Sequence, residues 1–318
     1  MLRSRTGLCV AMALMFGCST VEPAAIGEGA LTGSVGVLHV ERSAAADQPL
    51  DEGAVLRAAF ARYDGIDGDS VLRLLGSGTA AELDRCTMLE PGALALDVAS
   101  ADAADHPMVE PGVELVDVGA LRVEVASASN EGGPDEMVEA ELVARTFPDL
   151  ASVLAGVFYA EELNAEFFAD NSLPAVVPAV EYRFVAAGST DVGAFDVVLS
   201  AVDAPRSIAL VGEDGTGGAL DSRVTDVGTD GDLTLAWSAG DPADLVEIEL
   251  VSAGRTLACA TRDEGSFSIP ASDLGALTSD PDARLVVRRV RLEPFEAIGM
   301  DAAYARSAAA RTFPLSVR

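Results

Sequence analysis

The chain has no lysine in 318 residues, and only two histidines, one tryptophan and four cysteines. Each shortage removes a class of chemistry. Without lysine there is no Gly-x-x-x-x-Gly-Lys-Ser/Thr loop to cradle phosphates. His39 and His106 form no His-Glu-x-x-His pair, and no Cys-x-x-Cys spacing exists, so the usual zinc patterns are missing. No Gly-x-Ser-x-Gly elbow marks a serine hydrolase. Aromatics make up only 5 %, so a core must be built mainly from Val, Leu and Ala. Basic residues number 21 against 51 acids, a formal charge of −30. That field repels phosphate backbones and anionic lipid surfaces, which excludes nucleic acid as a partner. With 49 % hydrophobic residues the chain can nonetheless bury a core, and its length fits about two domains.

The N-terminus carries the clearest signal. Arg3 and Arg5 precede an apolar stretch from Gly7 to Phe16, and Gly17-Cys18 closes it. A basic start, a short apolar run and a small residue before the cut describe a secretory signal, residues 1–17. The run is too short for a membrane span, which takes about 20 residues. Met15-Phe16-Gly17-Cys18 resembles the lipobox of bacterial lipoproteins, although Met15 stands where Leu is usual and Phe16 is bulky for its place. The resemblance implies that Cys18 is lipidated and becomes the first mature residue; the alternative is plain cleavage without lipid. Ser19 is not the Asp that often retains lipoproteins in the inner membrane, so the resemblance implies the outer membrane, facing periplasm or cell surface. Several acyl chains, at about 0.8 kcal/mol per buried CH₂, give a stable anchor.

Cys86 and Cys259 remain for the mature fold. Export permits a disulfide, and one between them would contribute about 5 kcal/mol by chain entropy. Two separate buried thiols are the alternative. A Cys86/His106 dyad has no supporting motif. Two acidic loops could offer oxygen ligands to calcium (Ca2+). They are Asp64, Asp67 and Asp69 in Asp64-Gly65-Ile66-Asp67-Gly68-Asp69, and Asp226, Asp230 and Asp232 in Asp226-Val227-Gly228-Thr229-Asp230-Gly231-Asp232. Neither has the glutamate that closes an EF-hand, and Asp and Gly also dominate ordinary turns.

Along the chain, residues 18–33 read as a flexible tether. Short alternating or β-branched runs follow at Val35–Val40, Val55–Arg62, Ser70–Leu75, Leu94–Ala99, Val113–Val118 and Leu121–Ala126. Gly and Pro separate them, which predicts an antiparallel sandwich over 34–148. Leu150, Val153, Leu154, Val157 and Phe158 recur at helical spacing and predict a helix to about Phe168, within a helix-and-linker segment 149–180. From 181 to 318 strands are predicted again, at Glu181–Ala186, Ala194–Ala201, Ser207–Val211, Leu233–Ser238, Val246–Val251, Arg255–Ala260, Ser266–Ile269, Arg284–Leu292 and Thr312–Val317, with a helical turn at Ser272–Leu277.

Trp237 inside Leu233–Ser238, then Val246–Val251, Cys259 and Phe267-Ser268-Ile269-Pro270, resemble immunoglobulin-like and fibronectin type III-like sandwiches in their order. The resemblance implies a Trp buried between two sheets. Arg145-Thr146-Phe147-Pro148 recurs as Arg311-Thr312-Phe313-Pro314, which suggests two related sandwiches. On that reading the two cysteines sit in equivalent strands, which argues against their pairing. Taken whole, the fold class is mainly β: two antiparallel Ig-like domains and a short connecting helix behind a lipoprotein signal. Gly33-Ser34-Val35, Leu115–Ala120 and Asp263-Glu264-Gly265-Ser266-Phe267 resemble segments of uncharacterised two-domain lipoproteins of the myxobacterial type.

Function follows by exclusion. The expected role is a non-catalytic binding, adhesion or structural module of the envelope, held to the membrane by its lipid. Its partner would be an envelope protein or a polysaccharide. The alternative is a carboxylate-based hydrolase of extracellular polysaccharide. Trp237 discriminates the two: buried, it belongs to the core; exposed beside two carboxylates in a groove, it is a sugar platform.

Overall fold

The computed structural model describes residues 32–46, 53–76, 81–89, 112–127, 136–150, 154–164, 179–211 and 217–318. The protein is mainly β, built on one long sheet and one small one. Two neighbouring inner strands of the long sheet come from opposite ends of the described residues. β1 (Thr32–Ala45) runs parallel to β18 (Ala302–Val317), in register from Val35↔Ala302 to Ala45↔Thr312. On one side β1 pairs antiparallel with β2 (Gly53–Asp64). On the other, β18 pairs antiparallel with β17 (Asp280–Pro294), followed outward by β14 (Leu245–Ser252) and β15 (Arg255–Arg262). Beyond β2 come β4 (Gly112–Leu115), β7 (Leu154–Asn164), β6 (Glu136–Leu150), β5 (Leu121–Ser127), β8 (Ala179–Ala186) and β9 (Phe195–Ser200). β6 serves two neighbours in turn: residues 136–142 pair with β5 and the rest with β7.

The small sheet has the order β11 (Gly217–Ala219), β10 (Arg206–Val211), β13 (Leu233–Ser238), β16 (Ser266–Ile269). It packs on β14, β15, β17 and β18 across a core of Trp237, Ile248, Leu250, Leu285, Val287 and Phe313. β12 (Thr225–Val227) joins the end of β18. A second core lies where β1, β2, β5, β8 and β9 converge, around Leu38, Leu56, Phe60, Tyr159, Tyr182 and Phe184. A third sits on the opposite face of β1 and β2, where α1 (Gly68–Leu74) packs Val71 against Val35, Val37 and Tyr63. Strand alternation divides β1 between these cores: Leu38 and Val40 face one way, Val35, Val37 and His39 the other.

Two expectations are corrected. The helix over 150–168 is instead strand β7 where it is described. Gly156 has φ +124°, which no helix accepts, and a Cβ there would lie 2.0 Å from Leu115 O. β7 is fixed by pairing to β2, β4 and β6, so tertiary pairing overrides a helical spacing that is compatible with either period. The strand expected over Ser70–Leu75 is helix α1, because Asp67 caps it by accepting from Ser70 N at 2.9 Å. Strands on either side of the segment 149–180 share the long sheet, since β5 pairs with β8 and β1 with β18. The expected strand at Leu94–Ala99 lies outside the described residues.

Cys86 and Cys259 are bonded to each other. β3 (Arg85–Leu89) lies against β15 and is held further by Asp84, which takes Thr261 Oγ1 at 2.8 Å and donates its N–H to Ala260 O at 2.7 Å. The cysteines are therefore neighbours at one sheet edge, not equivalent positions of two repeats.

Candidate functional site

Buried charge concentrates on the part of the long sheet formed by β14, β17, β18 and β1. Alternation places His39 and Glu41 on one face of β1, and the pairing register sets His39 opposite Arg306 on β18. Arg288 on β17 and Glu247 and Glu249 on β14 share that face. His39 and Arg306 are 5 % and 4 % exposed. Arg306 Nη1 lies 2.7 Å from His39 Nε2, and Nη2 donates to Glu247 Oε2 at 2.7 Å. A guanidinium only donates, so His39 Nε2 is the acceptor and the ring proton sits on Nδ1. Arg288 donates from Nη1 to Glu247 Oε2 at 3.1 Å and Glu249 Oε1 at 2.9 Å, and from Nε to Glu41 Oε1 at 3.1 Å.

Burial holds the His39 pKa well below its usual 6.5, and the positive charges of Arg306, Arg57 and Arg288 push it the same way. Burial opposes the charge on Arg288, but Glu41, Glu249 and Glu247 outweigh it and hold its pKa up. The chemistry available here is limited. The imidazole lone pair is occupied by Arg306, and the groups bonded to it among the described residues are guanidinium and carboxylate. The network ties four strands together.

A second cluster closes the end of the C-terminal core. Asp263 accepts from Trp237 Nε1 at 2.6 Å, from Arg289 Nε at 2.6 Å and from Gly240 N at 2.8 Å. Arg289 also donates to Asp203 O at 3.0 Å and Ser238 O at 2.9 Å. Any side chain at 240 would collide, because its Cβ would lie 2.6 Å from Asp263 Oδ2. Arg291 forms a fork on Asp244, at 2.8 and 3.0 Å. On the face of β1 away from His39, Arg42 donates to Val202 O, and Val202 N donates to Ser307 Oγ at 3.1 Å.

The expected calcium residues are not gathered. Asp64 accepts from Thr32 Oγ1 at 2.7 Å and Asp67 caps α1, while Asp69 belongs to the first turn of that helix. Asp226 pairs with Arg318 at 2.7 Å, Asp230 Oδ1 lies beside Gly228, and Asp232 accepts from Ala271 N at 2.8 Å. Among the described residues no group of three His, Cys, Asp or Glu is placed to hold a metal ion. Cys86, bonded to Cys259, carries no free thiol for a dyad, and His106 and Cys18 lie outside the described residues. Trp237 is 6 % exposed and faces the core between the sheets.

Sequence reasoning missed the buried network. The available signal was acid and arginine inside otherwise apolar strand runs, as in Val246-Glu247-Ile248-Glu249-Leu250 and Val287-Arg288-Arg289-Val290. Charges alternating with Val and Leu read as a solvated face unless the partner strand is known.

No protein-family model matches the chain, and no curated protein matches it. Among solved structures it shows likeness to a Ca2+-stabilized adhesin with which an Antarctic bacterium binds ice, at 13 % identity and a TM-score of 0.17. That match covers 83 % of this chain but 57 % of the adhesin chain, so the chain spans little more than half its length. A bacterial adhesin from Mobiluncus mulieris, cross-linked by disulfide, isopeptide and ester bonds, is 5 % identical over 89 % of this chain and 99 % of its own, with a TM-score of 0.13. At these scores neither superposes on this chain as one fold, and the chain is described by its own architecture: a mainly β protein closed by its first and last described strands.

Proposed function

We propose that the protein is a bacterial envelope lipoprotein of the myxobacterial type, anchored in the outer membrane through acylated Cys18, and that it acts as a non-catalytic binding, adhesion or structural module. The leader through Gly17-Cys18 supports the anchor, with the residues between Cys18 and the start of β1 at Thr32 as the tether. One observation carries the non-catalytic role. The ionisable groups drawn into the sheets are bonded in two clusters, His39, Arg306, Glu247 and Arg288 in one and Arg289 with Asp263 in the other. Groups held this way fix structure and are not free to take or give protons to a substrate. The buried position of Trp237 adds support, since a sugar platform must face solvent. The C-terminal region, with its Trp between two sheets, is read as an immunoglobulin-like sandwich. The partner class is an envelope protein or a polysaccharide, met on the periplasmic or outer side.

The test is fractionation and in-cell cross-linking in the native host, with Cys18→Ala as control. The wild-type chain partitions with the outer membrane and captures a partner, and the variant does neither. Membrane partitioning unchanged by Cys18→Ala refutes the anchor. Hydrolysis of an extracellular polysaccharide by the purified chain refutes the non-catalytic role.

A further inference from the structure

The pairing of β1 with β18 has a mechanical meaning. The two strands run in the same direction and are paired over eleven residues. The chain enters β1 at Thr32 and leaves β18 at Val317, so these points lie at opposite ends of the seam. Tension between them drags β1 backward and β18 forward. The ladder is then loaded along the strands, and its hydrogen bonds must yield together. An antiparallel hairpin such as β17–β18, pulled at its open end, yields one pair at a time.

Side chains fasten the same seam along its length. At its start, Ser34 N and Oγ donate to Asp301 Oδ2 at 2.8 and 2.9 Å, and Asp301 N donates to Ser34 O at 3.1 Å. In the middle stand the Arg306–His39 contact and the Arg288–Glu41 pair, which reaches β1 from beyond β18. At its end, Arg311 Nη1 donates to Ala45 O and Ala46 O, each at 3.2 Å. Neither strand is an edge: β2 holds β1 over ten residue pairs and β17 holds β18 over thirteen.

The geometry points to the β1–β18 seam as a mechanical clamp, one that resists tension between the N-terminal tether and the C-terminal end of β18. This deepens the reading of an anchored envelope module and rests on it for the source of the load. The disulfide completes the device. Once the seam fails, the chain extends only from Thr32 to Cys86 and from Cys259 to Val317. The Cys86–Cys259 bond encloses the intervening separation of 173 residues and withholds it. At about 3.6 Å per residue, the released segments span roughly 400 Å and the withheld loop about 620 Å.

The experiment is single-molecule pulling on the full chain carrying Cys18→Ala, with handles fused at its two ends. The expected record is one dominant rupture, then extension that stops near 400 Å. Reductant added after that rupture releases about 620 Å more. In a second geometry the C-terminal handle is moved into the turn at residues 296–300, next to the start of the seam, so that β1 is peeled. Rupture there should need less than half the force. The exposed substitution Asp301→Ala should lower the end-to-end rupture force. Equal forces in the two geometries overturn the clamp, and full extension without reductant overturns the withheld loop. The anchor is judged separately by fractionation. An anchored chain with a weak seam refutes the clamp alone, and a soluble chain with a strong seam refutes the anchor alone.

Discussion

Asp263→Ala should be the most damaging single change in the C-terminal core, and its size can be worked from the contacts. The Asp263 side chain is fully buried and accepts from Arg289 Nε, Trp237 Nε1 and Gly240 N. Removing it leaves a buried guanidinium with two carbonyl acceptors, Asp203 O and Ser238 O, and no opposite charge. Breaking a buried pair by removing one partner costs about 3–5 kcal/mol. Each orphaned neutral donor adds about 1–3 kcal/mol where water cannot reach it. The terms overlap, so about 4–6 kcal/mol is the expected loss, a large part of the roughly 5–15 kcal/mol that stabilises a typical fold. Arg289→Met in the same background removes the stranded charge and should recover at least about 2 kcal/mol, because an apolar pair replaces an ion pair at little cost. Trp237→Phe, which removes one donor and keeps the ring packing, should cost about 1–2 kcal/mol. The assay is urea denaturation, followed by the fluorescence of the only tryptophan for Asp263→Ala and the double variant, and by circular dichroism for Trp237→Phe. A loss below about 1 kcal/mol for Asp263→Ala, or a double variant no better than the single, refutes the account of a charge-locked core.

His39 sets a pH dependence with a definite sign. Its folded pKa is held below 6.5, so below that pH the unfolded chain takes a proton that the folded chain refuses. Stability is therefore full above about pH 6.5 and falls as pH drops from there toward the lowered folded value, a slope that His39→Gln should flatten in thermal melts between pH 8 and 5. Gly156→Ala must place a Cβ 2.0 Å from Leu115 O at φ +124°, and it should cost roughly 3 kcal/mol or more, read as a lost or greatly lowered unfolding transition. Reducing the Cys86–Cys259 bond should destabilise the fold by up to about 5 kcal/mol by chain entropy, checked by denaturation with and without reductant.

Most strands were legible because their residues alternate or are β-branched: Val246–Val251, Arg255–Ala260 and Leu121–Ala126 all appear where expected. A buried Trp237 is what the sandwich resemblance implies, and the structure places it in the core. β18 was legible only at its end. Ala302–Arg311 is a strand made of Ala, Ser, Tyr and Arg, residues that favour helix as much as sheet. Its small side chains suit a central position covered on both faces, and nothing local to the sequence states that position. The segment of α1 reads as a strand because its apolar run, Val71-Leu72, is too short to show a period, although Asp67 three residues ahead of Ser70 carries the capping signal. The ionic network was illegible because it depends on register between strands far apart in sequence. Glu41 meets Arg288 across 247 residues, and His39 meets Arg306 across 267.

That same separation governs how the protein can be made. A chain synthesised from its N-terminus exposes β1 long before β18 exists. Until residues 302–312 arrive, the flank of β1 that they cover offers unpaired N–H and C=O groups to any passing strand. Contacts this distant in sequence also slow folding, since a long loop must close before they form. The long sheet should therefore close only after β18 has been made, however early β1 and β2 pair with each other.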